Sequence, residues 1–201
     1  FSSMEAEKGG TLSEQIQNLI ECGFIRKYMV REKKVVKENS GIYQLVDPFT
    51  LFHLYFNSKA KGDTRFWENH INTPIVNTWL GLAFEKVCLL HTQQIKEALR
   101  IDAISTQQYS WRSKDKKTPA QIDLIIDRAD GMINLCELKY SEIDYTLTES
   151  EFNKMERRFA AFVSETGTRK GIFKTLITAS PLKKNQYSES IPVKLTADCL
   201  Y

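Results

Sequence analysis

Several features are missing from this 201-residue chain, and each absence removes a class of protein. No apolar run approaches the roughly 20 residues of a membrane span; the best stretch, Leu80 to Leu90, is broken by Glu85 and Lys86. The four cysteines, Cys22, Cys88, Cys136 and Cys199, lie far apart without a C-x-x-C pair, which excludes a disulfide scaffold and a redox motif. No leader-like segment opens the chain, so reduced thiols in a cytoplasm are expected. Three dispersed histidines, His53, His70 and His91, argue against zinc. The nine glycines never form G-x-x-x-x-G-K-[ST], so the chain is no P-loop ATPase. One-sided charge is absent too: 28 basic against 25 acidic residues give +3, and contact with nucleic acid must rest on local patches. There is neither an internal repeat nor a low-complexity tract. The chain opens on Phe1, with its first Met at Met4, and is expected to be a piece of a longer protein.

What is present reads as a folded α/β protein. With 42% hydrophobic and 26% charged residues the chain can bury a real core, and at about 150 residues per domain it holds one to two domains. Thr11-Leu12-Ser13-Glu14 fits a capping box, and Leu12, Ile16, Leu19 and Ile20 repeat at helical spacing until Cys22-Gly23. Phe24 to Val30 and Gly41 to Val46 read as strands around a charged turn region, Arg31 to Ser40, and the second strand ends at Asp47-Pro48. A helix feeding a hairpin is the second half of a winged helix. Phe49, Phe52, Tyr55 and Phe56 form an aromatic stripe on a connecting helix that packs its rings into a core. Ser58 to Asp63 is the best linker, which sets a boundary between 1–58 and 59–201.

Beyond it, Ile75 to His91 predicts a long helix with Pro74 at its start. Strands follow within Ile101 to Trp111, Gln121 to Asp127 and Met132 to Leu138, then a helix over Thr148 to Val163 and a strand over Ile172 to Ala179. Ile191 to Leu195 is a further edge strand. The order from 75 to 179 is α-β-β-β-α-β, a mixed sheet flanked by helices.

Strand periodicity puts Asp123 on one face with Ile125 and Asp127, and Ile122, Leu124 and Ile126 on the other. Glu137 and Lys139, two apart, share a face. If the turn Arg128 to Gly131 pairs these strands antiparallel, Asp123 lies near Glu137 at one end of the sheet. Two carboxylates and an ammonium suit a hard cation such as Mg²⁺ with a substrate phosphate, the lysine orienting water or stabilising developing charge. The plain alternatives are a solvated Glu85, or one paired with Lys86, and a Glu137–Lys139 surface ion pair of little value. Asp123 is harder to explain away, because an acid inside an apolar strand is costly unless paired.

Asp123, followed across a turn by Glu137-Leu138-Lys139, resembles the PD-(D/E)XK nuclease superfamily, which includes restriction endonucleases and archaeal-type Holliday junction resolvases. The series Gly41-Ile42-Tyr43-Gln44-Leu45-Val46-Asp47-Pro48-Phe49, Gly81-Leu82-Ala83-Phe84-Glu85, Gln121-Ile122-Asp123 and Glu137-Leu138-Lys139-Tyr140 resembles the C-terminal region of a family of prokaryotic AAA-type ATPases. In that region a winged helix precedes a nuclease-like domain. The resemblance covers nearly the whole chain. It implies a restriction-endonuclease-like fold in 59–201 after a partial winged helix in 1–58, and an ATPase domain upstream. It also implies Mg²⁺ or Mn²⁺ held by Glu85, Asp123 and Glu137, with Asp123, Glu137 and Lys139 as catalytic residues and DNA as substrate. Two departures stand out: Ile122 occupies the place of the motif's proline, and the second helix offers no obvious extra catalytic residue. Relatives with this fold include proteins without demonstrated cutting.

Two basic strips are candidate nucleic-acid contacts. Lys33 and Lys34 lie in the hairpin with Arg26, Lys27, Arg31 and Lys37; Arg112, Lys114, Lys116 and Lys117 follow Trp111 just before Asp123. Lys154, Arg157 and Arg158 extend the second strip. Each strip reads equally as a solvated turn or helix face. Two functions of other classes compete with a nuclease: a catalytically inert DNA- or protein-binding module that regulates the ATPase, and a structural interaction domain in which a lysine pairs with Asp123.

Overall fold

Two units of chain make up the computed structural model, one within Phe1–Tyr28 and Gly41–Asn69, the other within Met29–Ser40 and His70–Tyr201. Residues 10–32, 35–115 and 119–201 are described, with 10, 28–32 and 35–42 by backbone alone. Lys33, Lys34, Lys116 and Lys117 therefore lie outside the described residues.

In the first unit, helix α1 (Gly10–Glu21) stops at Gly23. The amide of Phe24 reaches back to the carbonyl of Leu19 and that of Gly23 to Ile20, both at 3.0 Å. This paired ending needs a left-handed residue, which Gly23 supplies at φ 76°. At the other end the helix already includes Gly10 and Thr11, so the Thr11–Glu14 capping box does not mark its start. Strands β1 (Ile25–Glu32) and β2 (Val35–Leu45) take up most of the segment expected as a charged turn. The β-branched pair Val35-Val36 favours extended backbone there, whatever the charge of its neighbours.

Helix α2 (Pro48–Ala60) begins on Asp47, whose carboxylate accepts the Thr50 amide at 2.6 Å. Its Phe52 and Phe56 rings lie 4.9 Å apart, and they sit 5.3 and 5.6 Å from Trp67 of the short helix α3 (Phe66–His70). Phe56 is buried, but Phe49, at the first turn, is 76% exposed, so only part of the aromatic stripe packs inward. The polar stretch Ser58 to Asp63 holds the last turn of α2 and the left-handed residues Lys61 and Gly62.

The second unit is built on a five-stranded mixed sheet flanked by helices. In chain order come α4 (Pro74–Leu90), α5 (Thr92–Ala98), β3 (Thr106–Arg112), β4 (Gln121–Arg128), β5 (Met132–Lys139), α6 (Glu149–Thr166), β6 (Gly171–Thr178), α7 (Gln186–Glu189) and β7 (Val193–Thr196). These strands lie in the order β3-β4-β5-β6-β7. The hairpins β3–β4 and β4–β5 are antiparallel, whereas β6 and β7 join in parallel after crossovers. Within the same unit, Val30 of β1 stands opposite Ser110 of β3.

Each face of the sheet has its own core. Phe84 and Cys88 of α4 and Ile95 of α5 pack on Leu124, Ile126, Cys136 and Leu138. On the opposite face, Met155, Phe159 and Phe162 of α6 cover Ile122, Ile125, Ile133 and Leu135. Helix α6 starts in a capping box in which Thr148 and Glu151 bond reciprocally. It ends on left-handed Gly167. All four cysteines are free; burial pushes the Cys88 thiol up to about 12 and raises that of Cys136, which keeps both unreactive. Among the described residues no helix is long and apolar enough to cross a membrane.

Candidate active site where two strands part

The central strands β4 and β5 pair from Asp127↔Ile133 to Leu124↔Cys136 and then separate. Past that point β4 stays with β3 through Trp111↔Ile122 and Arg112↔Gln121, while β5 stays with β6 through Glu137↔Leu176 and Lys139↔Thr178. Asp123 and Glu137 are thus the first residues beyond the last shared pair, one on each side of a notch in the sheet.

Asp123 does not share a face with Ile125 and Asp127. Between Tyr109↔Ile125 and Trp111↔Ile122 the register slips, because three steps of β4 oppose two of β3. This bulge reverses the alternation, so Ile122 packs with Ile125 in the α6-side core, whereas Leu124 belongs to the α4-side core. Asp123 turns towards α4 with Leu124, where its charge acts on Glu85 and Lys86. Asp127 lies near the other end of β4, paired with Lys170 at 2.5 Å and accepting from the Tyr109 hydroxyl at 3.3 Å.

Four of the expected site residues interact at the notch. The Glu85 carboxyl, on α4, is pushed up to about 7, first by burial and next by repulsion from Asp123. Lys86 and Lys139 oppose that rise, and Glu137 adds to it. Lys86 in turn is lowered by burial, against the pull of Glu85 and Asp123. Among the described residues Asp123 has no ion-pair partner; the Gln121 amide donates to it, and Gln121 itself accepts from the Arg112 guanidinium at 2.9 Å. Arg112 is thereby tied to the acid through one side chain, a relay that strand spacing alone does not reveal.

Glu137 is buried and held by two cations. Lys139 Nζ lies 2.9 Å and Arg158 Nη2 2.7 Å from the same oxygen, Oε1. The pair expected on β5 forms, but it is no solvated surface bridge, since the Glu137 side chain is only 8% exposed. Arg158 is the residue that sequence reasoning placed merely on a basic surface; its position two turns into α6 was the available signal. Beside it, Tyr145 donates to Glu151 at 2.9 Å, and its hydroxyl is raised by burial and by the charge of Glu151. In the β3–β4 connection, Glu165 of α6 accepts from Ser113 and from the Lys114 amide, which anchors the start of that basic loop.

Among the described residues no three acidic, histidine or cysteine side chains gather as a metal cluster. The donor chemistry still fits a hard dication, because burial and the charge of Asp123 together raise the half-buried Glu85 carboxyl. Mg²⁺ ordinarily takes one or two carboxylates, keeping its other positions for water and phosphate. No family model, curated protein or solved structure matches the chain.

The raised Glu85 carboxyl makes stability depend on pH. In the unfolded chain the group loses its proton near its ordinary value of 4.5, in the folded protein near 7. Between these values the folded state binds more protons, so stability falls as pH rises from about 4.5 to about 7 and then levels off. The expected loss is about 2 kcal/mol after allowance for partial exposure. Thermal unfolding of the metal-free protein at pH 5 and pH 8 reads it directly; Glu85→Gln should flatten the difference, and an unchanged slope would remove Glu85 as its source.

Proposed function

We propose that this chain is the C-terminal part of an AAA-type ATPase, a winged-helix remnant followed by a restriction-endonuclease-like domain that hydrolyses DNA phosphodiester bonds. The observation that carries this reading is that Glu85 feels the charges of Asp123, Lys139 and Glu137, with Asp123 and Glu137 flanking the point where β4 and β5 part. Glu85, Asp123 and Glu137 would hold Mg²⁺ or Mn²⁺. When bound, such an ion supplies polarisation of the phosphoryl oxygen and a water of lowered pKa.

The chain's own groups have separate tasks. The Lys139 ammonium, on the same strand face as Glu137, offsets charge that builds on the phosphate in the transition state. Gln121 holds the Asp123 carboxylate in place, and Arg112 behind it adds positive charge to the path of the DNA backbone. Arg112 and Lys114 are the described members of the proposed nucleic-acid strip. Lys33, Lys34, Lys116 and Lys117 complete the proposal from sequence.

Incubation of the purified protein with supercoiled, linear and branched DNA in Mg²⁺ or Mn²⁺ tests this. Cutting that EDTA abolishes is the expected result. The clasp of Lys139 and Arg158 on Glu137 favours one rival, an inert DNA-binding module that regulates the ATPase. DNA that binds but stays intact under every condition would establish that rival and overturn the enzymatic reading.

A further inference from the structure

Arg158 belongs to two places at once. Its Nη2 grips Glu137 at the notch, and its side chain also lines a cavity of about 660 Å³ beside α6. Lys154, Arg157 and Ala161 line the same cavity from α6, with Pro119 and Ala120 from the approach to β4. Lys154, Arg157 and Arg158 are spaced by three and four residues, so they rise on one side of the helix. Three of the four acids on α6 have partners of their own: Glu151 with Thr148 and Tyr145, Glu156 with Lys174, and Glu165 with Ser113, whose amide bonds the lining residue Ala120. None of the described lining residues carries an aromatic ring on which a base would stack. Three cations with no aromatic ring among the described lining residues suit a phosphate better than a base.

We propose that the cavity is a binding subsite for a DNA backbone phosphate, and that Arg158 couples it to Glu137. Choice of DNA as the polymer rests on the nuclease reading; the anion chemistry rests on the cavity itself. A guanidinium binds phosphate oxygens through paired donors, and in the cavity Lys154 and Arg157 reinforce that attraction. Phosphate therefore competes with Glu137 for Arg158. When DNA takes the arginine, Glu137 keeps Lys139 as its single cation on Oε1. In the structure this carboxylate is clasped by Lys139 and Arg158 together.

Fluorescence anisotropy of labelled duplex DNA with the full chain in EDTA tests both halves of the proposal without requiring catalysis. Lys154→Ala with Arg157→Ala should weaken binding about tenfold and lower the salt dependence by about two phosphate contacts, equally for unrelated sequences. Unchanged affinity and salt dependence would overturn the subsite. Inorganic phosphate provides the second arm: if it raises the melting temperature of the parent but not of this double variant while DNA affinity is unaffected, free phosphate is the ligand and the backbone assignment falls.

Glu137→Gln should strengthen DNA binding about threefold in the parent background but not alongside Arg158→Gln, whose amide keeps a donor near Glu137 and preserves the fold. An equal gain in both backgrounds would overturn the coupling. Failure of cleavage with these binding effects intact would sink the nuclease reading alone.

Discussion

On the proposed nuclease reading, Asp123→Ala and Lys139→Ala are each expected to lower DNA cleavage by about 100-fold or more, with the fold retained. Removal of a single group that stabilises transition-state charge costs about that much. The two changes act differently on the resting protein, which separates chemistry from collapse. Asp123 raises Glu85 by repulsion, so Asp123→Ala relieves a strain and should raise the melting temperature of the metal-free protein slightly above pH 7. Lys139→Ala leaves Glu137 with Arg158 as its remaining cation and should lower stability. Cleavage of supercoiled DNA, measured alongside circular dichroism and thermal unfolding, reads all of this. Equal cutting by the parent and both variants would assign the activity to a contaminant.

Phe162→Ala is expected to be the most destabilising single change in the second unit, by about 4 kcal/mol. The ring is fully buried and meets Trp111 edge-on at 5.5 Å. Truncation removes that aromatic contact and leaves a void against Met155, Phe159 and Leu176, which belong to the same core. For a unit of this size the melting temperature should drop by about 10 °C or more. Phe162 lies one turn beyond Arg158 on α6, so the same truncation should loosen the clasp on Glu137. Thermal unfolding checks the first effect. A drop of only a few degrees would mean that the sheet repacks against α6 and that this core is not close-packed.

The elements were legible where a local pattern dictates them. Pro74 at the first turn of α4, Gly23 past the end of α1, and the hairpin around Gly131 each follow from backbone preferences of the residue itself. The antiparallel pairing of β4 and β5 followed from that short turn, and with it the placement of Asp123 and Glu137 at the same end of the two strands. Alternation along β4 was misleading at the residue that mattered most. A bulge is set by how β3 pairs with β4, and nothing within Gln121–Arg128 shows that three residues will oppose two. The start of α1 and the extent of the charged turn were misplaced because charge and capping patterns are weak beside the preference of the backbone to continue.

By itself the sequence determined the α/β composition, the order of the two long helices and of the sheet strands in the second unit, and the residue types at the site, because periodicity and turn chemistry act over a few neighbouring positions; the short helices α5 and α7 were not read from it. The tertiary structure alone decided which way Asp123 faces and where β4 and β5 part. It also decided that Arg158, 21 residues from Glu137 along the chain, closes on that carboxylate. These depend on registers between strands and on a helix laid across the sheet, and such long-range contacts leave no spacing to read in the sequence.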